Sequence, residues 1–326
     1  MTDKRFLVVG AGTMGGGHAR LFASGRVPGA SLAGVVDIDL ARAQAAAGDT
    51  SAYADLAEAI AALKPDAAYV ATPDGLHRTP VELLAGAGIS ILVEKPLATT
   101  VADAEAMLAA ITAAGVHAEV NFSNRWNPPY VAAKRTVDRG EVGEVLSYNV
   151  RLNNPVSSPR DRLSWSAQSS SAWFLMSHCL DLACWLGKKR ALSVYATGQK
   201  GVLTAAGVDT WDYIHAVVRW EGGGDGVFEA VWVLPDSWPG GVEFNFRLLS
   251  SKGAIDVDTT KQLISVSSDR HHFPGTLNWT IDRMSEFVRA LDGTARTTVP
   301  FEDGVHVTRI LVAIHKSLET GAVEAV

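Results

Sequence analysis

Two short stretches carry side chains that can move protons. Glu94-Lys95-Pro96 follows directly on an apolar run, Ile89 to Val93. A lysine at the mouth of a buried strand is partly withdrawn from water, which lowers its pKa toward that of a usable proton donor or acceptor. Neighbouring strand residues point to opposite faces, which argues against a simple surface ion pair between Glu94 and Lys95. Pro96 pins the backbone at this point and admits a cis peptide. The second stretch, Trp173 to Gly187, has apolar residues at helical spacing, with His178 and Asp181 one turn apart. A carboxylate one turn from an imidazole can hold its tautomer and raise its basicity, as a base taking a proton from a carbinol requires. The same spacing also suits a core histidine satisfied by its neighbours.

A third stretch binds rather than reacts. Phe6 to Val9 ends in Gly10-Ala11-Gly12-Thr13-Met14-Gly15, a helix is expected to about Ala23, and a second apolar run, Leu32 to Val36, closes on Asp37. Strand, glycine turn, helix, strand and terminal acid together form the dinucleotide-binding fingerprint. Gly10 permits the tight turn, Gly12 lets backbone approach a pyrophosphate, and Gly15 lets helix and strand pack closely. The helix N-terminus offers free N–H groups to the phosphates. Asp37 would accept hydrogen bonds from ribose hydroxyls and repel a 2′-phosphate, so NAD is expected over NADP; Arg42 in the next helix is the cation that would work the other way. The expected cofactor contacts are Gly10, Gly12, Thr13, Met14, Gly15, Asp37, Ala71, Thr72, Pro73, His77, Glu94 and Lys95.

The elements that must position these residues alternate regularly. Leu40 to Ala47 and Tyr53 to Leu63 read as helices, and Ala67 to Ala71 as a short buried strand. That strand runs into the loop Thr72-Pro73-Asp74-Gly75, with His77 beyond, where carboxyl ends of parallel strands border the ligand crevice. Pro80 to Ala87 (helix), Ile89 to Val93 (strand), Thr100 to Ala114 (helix) and Val116 to Phe122 (strand) complete a doubly wound sheet of about six strands and a boundary near residue 122. Beyond it, after a helix from Tyr130 to Arg139, six segments alternate as antiparallel strands do: 145–152, 192–198, 211–220, 226–234, 242–250 and 254–257. Helices at Trp279 to Leu291 and Glu302 to Glu319 close the chain. The expectation is an α/β protein: a Rossmann domain at 1–122 and a second α/β domain at 123–326 built on a large, mostly antiparallel open sheet.

Composition narrows the classes. The chain has 326 residues, 47% hydrophobic and 20% charged, as ordinary globular proteins do. A net charge of −6 and the lack of a basic stripe argue against nucleic acid or an anionic membrane as partner. No apolar run approaches the ~20 residues of a membrane span, and the start lacks the pattern of a signal peptide, so a cytoplasmic location is expected. Cys179 and Cys184 suit neither a disulfide scaffold nor a zinc site, and no metal is expected.

Taken together, GAGTMG, Asp37, ATPDGLH at 71–77, VEKPLATT at 93–100, SNRWNPPY at 123–130, GEVGEV at 140–145 and HCLDLACWLG at 178–187 resemble the Gfo/Idh/MocA family over nearly the whole chain. The resemblance implies a site between the domains and hydride transfer between NAD(P) and a sugar, polyol or related carbinol, commonly in a homodimer or homotetramer. It implies that Lys95 contacts the substrate hydroxyl and the nicotinamide ribose, that His178 is the acid/base and Asp181 the acid that follows it. Thr72 and His77 would line the nicotinamide side, and Arg125 and Trp126 would touch substrate. One position departs. The family's dehydrogenases usually carry an aspartate four residues before the histidine, and here that residue is Phe174, after Ser169-Ser170-Ser171-Ala172-Trp173. Either Asp181 or another acid assists His178, or aromatics such as Trp165, Trp173 and Trp232 have reshaped the pocket for a sugar ring. The expected function is an NAD-dependent dehydrogenase acting on a secondary alcohol of a sugar or cyclitol. The alternatives are a nucleotide-binding sensor without turnover and a glycosidase that uses bound NAD transiently.

Overall fold

The computed structural model describes residues 3–238, 241–258, 266–267, 271–272 and 279–326. The chain divides into two compact units, the first made of 1–123 with 278–308 and the second of 124–277 with 309–326.

In the first unit, β1 (Lys4–Val9), α1 (Thr13–Ala23), β2 (Ala30–Val36), α2 (Leu40–Ala47), β3 (Ser51–Tyr53), α3 (Leu56–Leu63), β4 (Ala67–Val70), α4 (Arg78–Gly86), β5 (Ser90–Val93), α5 (Val101–Ala114) and β6 (Ala118–Val120) follow in chain order. The six strands form a parallel sheet in the order β3-β2-β1-β4-β5-β6. The order reverses between β1 and β4, which is the switch point where doubly wound sheets bind ligands. Phe6 to Val9 and Ala67 to Val70 are buried throughout, as a parallel sheet covered on both faces requires. Phe6 and Phe22 stack at 4.4 Å.

The stretch expected as one helix from Tyr53 to Leu63 is two elements. Tyr53 pairs with Val36 as the last residue of β3, and Asp55 then caps α3 by accepting the Glu58 N–H at 2.8 Å. Three strand residues are too few for periodicity to register.

The second unit contains α6 (Pro128–Asp138), β7 (Val145–Pro155), α7 (Ser177–Gly187), β8 (Ala191–Gln199), α8 (Val202–Ala205), β9 (Tyr213–Trp220), β10 (Asp225–Leu234), β11 (Glu243–Ser250) and β12 (Gly253–Asp258). After these come the small hairpin β13 (Val266–Ser267) and β14 (His271–His272), then α9 (Trp279–Leu291), α10 (Phe301–Thr320) and β15 (Glu324–Ala325). Among the described residues its sheet runs β12-β11-β7-β10-β9-β8-β15, antiparallel except for the parallel pair β7 and β10. Strand residues alternate: Tyr148, Val150 and Leu152 are buried, Asn149 and Arg151 exposed. One face therefore packs and the other is open.

The tail differs from the contiguous second domain expected at 123–326. Met284, Phe287 and Val288 of α9 belong to the same core as Phe6, Phe22 and Leu92 of the first unit. Their apolar faces complete a core that the first 123 residues leave unfilled. Among the described residues no helix is long and apolar enough to cross a membrane.

Candidate functional site

The glycine loop shows which of its glycines the protein itself demands. Gly10 sits at φ +94°, and a Cβ there would lie 2.6 Å from the Ala71 carbonyl oxygen. A Cβ on Gly15 would lie 1.7 Å from the Gly10 oxygen. At Gly12 a Cβ would meet nothing within 4 Å. Gly12 therefore borders space that the protein leaves open, beside the exposed Thr13 and Met14. Asp39, Asp55 and Thr100 cap α2, α3 and α5 through their side chains, whereas α1, like α4, α6 and α7, has no side-chain cap and begins on Gly12. Its first-turn N–H groups are not claimed by a side chain. A dinucleotide fits these residues: Gly12 would admit the pyrophosphate and the start of α1 would bond its oxygens.

Asp37 ties the loop to the end of β2. Its Oδ2 accepts the Ala11 N–H at 2.7 Å and its Oδ1 the Asp39 N–H at 2.9 Å. Each oxygen keeps capacity to accept a further hydrogen bond. Arg42 forms an ion pair with Asp39 at 3.2 Å.

On the same carboxyl-end rim, the Ala71 N–H donates to Val9 at 2.7 Å, and the Thr72 hydroxyl donates to the Leu76 carbonyl at 3.2 Å. His77 is 1% exposed, with Nδ1 3.0 Å from the Leu97 carbonyl and Nε2 2.9 Å from that of Thr72. Its ring braces two loops against each other. That is a supporting role beneath a loop in which Thr72 is half-buried and Pro73 exposed.

Lys95 follows β5, is half-buried and is joined to Pro96 by a cis peptide. Withdrawal from water lowers its pKa, against the opposing pull of the Glu94 and Asp74 carboxylates. Glu94 is buried beside it. Its Oε1 accepts from the Tyr69 hydroxyl and, at 2.8 Å, from the Asn121 amide, and its Oε2 accepts the Lys95 N–H at 3.1 Å. Burial and the Glu94 charge raise the Tyr69 phenol well above its usual range. The Tyr69 ring stacks on His18 at 4.0 Å. Burial lowers the pKa of His18, whose Nδ1 lies 3.0 Å from the Met14 carbonyl. None of Tyr69, Asn121 and His18 was legible as a site residue. The available hint was a tyrosine inside the small-residue strand Ala67 to Val70.

The second unit brings together residues that the sequence placed far apart. Arg125 and Asp181 form a buried pair, Nη2 to Oδ1 at 2.5 Å and Nε to Oδ2 at 3.1 Å, with each side chain 1% exposed. The Trp185 ring lies 5.6 Å from the guanidinium. Asp181, expected to serve His178, has its carboxylate on Arg125, and Arg125, expected on substrate, has its guanidinium on Asp181. His178 is half-buried on α7 and Trp126 half-buried in the loop before α6. Phe174 lies in a five-residue π-helical turn before α7, with its ring 5.8 Å from Trp165 and 5.9 Å from Trp232. An aromatic cluster thus occupies the surroundings of the departed aspartate. Trp173 is instead stacked on His315 at 4.5 Å and 7% exposed, which is core packing. Gly187 is the last residue of α7, and the left-handed conformation after it falls to Lys188 at φ +54°. What Gly187 supplies is room, since a Cβ would fall 2.0 Å from the Tyr148 hydroxyl.

The oxidoreductase family with an NAD-binding Rossmann fold matches residues 4–122, and the GFO/IDH/MocA C-terminal domain matches residues 130–256. The chain belongs to the Gfo/Idh/MocA family. Within that family it is 32% identical over 194 residues to an inositol 2-dehydrogenase of Corynebacterium glutamicum, covering 57% of this chain and 55% of the relative. It is 37% identical over 147 residues to a D-apiose dehydrogenase of Paraburkholderia graminis, covering 44% and 39%. The chain thus matches 55% and 39% of the lengths of these two curated relatives. A scyllo-inositol dehydrogenase of Lactobacillus casei, solved with NAD(H) and scyllo-inositol, shares the fold at a TM-score of 0.85 and 19% identity, over 99% of each chain.

Proposed function

We propose that this Gfo/Idh/MocA chain is an NAD-dependent dehydrogenase acting on a secondary alcohol of a cyclitol or sugar. The observation that carries the proposal is a lysine of lowered pKa on the same sheet rim as an open glycine cradle. The bound nicotinamide would accept or return the hydride. Lys95 and His178 would hold and exchange the hydroxyl proton, a contribution typically worth ~10²–10⁴-fold. Asp37 would select NAD, since a carboxylate fixed at the end of β2 would accept from ribose hydroxyls and repel a 2′-phosphate, and Arg42 pairs with Asp39. The inositol dehydrogenases among its relatives support a cyclitol as the first substrate to try.

The test is nicotinamide reduction with NAD and NADP across inositols, aldoses and amino sugars. Turnover with NAD, lost by at least a hundredfold in Lys95→Ala and in His178→Ala, is the expected result. Near-wild-type turnover of both variants would remove these roles. Phe174 in place of the family aspartate favours a second reading, a nucleotide-binding sensor, which would bind NADH tightly and turn over no member of the panel. We also propose a homo-oligomer formed through the open face of the second sheet, where Tyr195, Val217 and Val227 stand exposed in one registered row. Light scattering at micromolar concentration checks this, and a monomer would refute it.

A further inference from the structure

We propose that Tyr69 and Asn121 are positioning residues for proton transfer, acting on Lys95 through the Glu94 carboxylate that they grip. The inference rests on the reading of Lys95 as the proton-handling group. Its basis is the convergence of three donors on one buried carboxylate: the Tyr69 hydroxyl of β4, the Asn121 amide at 2.8 Å just after β6, and the Lys95 N–H at 3.1 Å. β4, β5 and β6 are adjacent strands, with Tyr69 opposite Leu92 and Val120 opposite Val93, so the sheet brings groups from all three strands within reach of Glu94. Glu94 is 6% exposed, and Tyr69 is wholly buried.

A carboxylate in such a place adds little stability that an apolar side chain of similar volume would not supply. What it does supply is specific. One oxygen bonds the backbone of Lys95, and the charge favours the ammonium form that burial disfavours. The groups facing Lys95 are Glu94 and Asp74, both favouring the charged form. Those acting on Tyr69 and His18 beside Glu94 include Arg283 of α9, whose positive charge opposes protonation of His18 and lowers the pKa of Tyr69. With its pKa held high, the phenol remains an O–H donor through the working pH range. His18 backs the Tyr69 ring and is itself fastened to Met14 in the first turn of α1. The lysine is thus held from beneath by a polar network continuous with the glycine loop's helix.

The experiment reads Lys95 without requiring turnover. The full chain is labelled with trace acetic anhydride across a pH series, and acetylation of the Lys95 peptide is followed by mass spectrometry, with Lys134 and Lys189 as internal references. In Glu94→Gln the labelling midpoint of Lys95 is expected to fall by about one pH unit while the references hold. That corresponds to about tenfold faster labelling at a fixed pH below the midpoint. Tyr69→Phe keeps the charge and the ring but removes a donor. It is expected to leave the Lys95 midpoint within a few tenths of a unit and to lower kcat about tenfold, with NAD affinity within twofold. An unmoved midpoint in Glu94→Gln would overturn the proposal. So would a wild-type kcat in both Tyr69→Phe and Asn121→Ala, and that result decides the matter if Glu94→Gln fails to fold. Lys95→Ala separates the two claims: if it retains turnover, the role of Lys95 fails even where its labelling responds to Glu94.

Discussion

Single side chains in this protein divide into those whose surroundings follow from their place in the sequence and those whose surroundings depend on a distant partner. The withdrawal of Lys95 from water was legible because the residue directly follows a buried apolar run. The surroundings of Asp181 were not, because its partner Arg125 stands 56 residues away in sequence and reaches it through tertiary packing. The pairing predicts a stability effect. Asp181→Asn should cost about 3–5 kcal/mol of unfolding free energy in urea, since it strands a buried guanidinium, and Arg125→Met with Asp181→Leu should recover much of that loss. A second prediction concerns acid. Burial lowers the His315 imidazole to about 4, with Nδ1 on the Leu311 carbonyl and Nε2 on the Ser170 hydroxyl. The unfolded chain then binds a proton near 6.5 that the folded chain refuses until about 4. Its contribution is present above 6.5 and lost as pH falls toward 4, by roughly 2–3 kcal/mol. His18 is shifted in the same direction. Thermal unfolding between pH 7.5 and 4.5 should therefore fall less steeply in His315→Gln than in the parent.

Helices and strands of ordinary length were legible, and short or irregular ones were not. α2 and α9 begin and end where their apolar spacing says, because eight to thirteen residues give a period room to show. β3 has three residues, and the π-helical turn carrying Phe174 has five, so neither leaves a pattern. The glycine loop makes the sharpest prediction at this scale, because its three glycines serve different masters. Gly15→Ala places a methyl group 1.7 Å from a carbonyl oxygen and should lower Tm by many degrees. Gly12→Ala meets no protein atom and should leave Tm within a degree or two, yet weaken NAD binding at least tenfold by calorimetry. Equal effects from the two substitutions would mean that the space at Gly12 is not the pyrophosphate path.

For the whole molecule, the two sheets and the change of pattern near residue 122 could be read from the chain, but the ownership of α9 could not. Its amphipathic spacing says that it packs, and nothing in it says against what. The answer has a temporal consequence. Met284, Phe287 and Val288 each bury an apolar side chain in the first unit's core, a term of about 1.5–3 kcal/mol apiece on area grounds. Their sum is comparable with the entire 5–15 kcal/mol by which domains are stable. A ribosome therefore makes the first 123 residues long before the piece that completes them. Until α9 emerges, the nascent nucleotide-binding half carries an open apolar flank around Phe6 and Phe22, and must wait for more than a hundred and fifty further residues to be added. A fragment ending at Ser123 should accordingly bind the dye ANS and melt without a cooperative transition, while the full chain, once released so that α9 is clear of the ribosome, should resist protease over its N-terminal half.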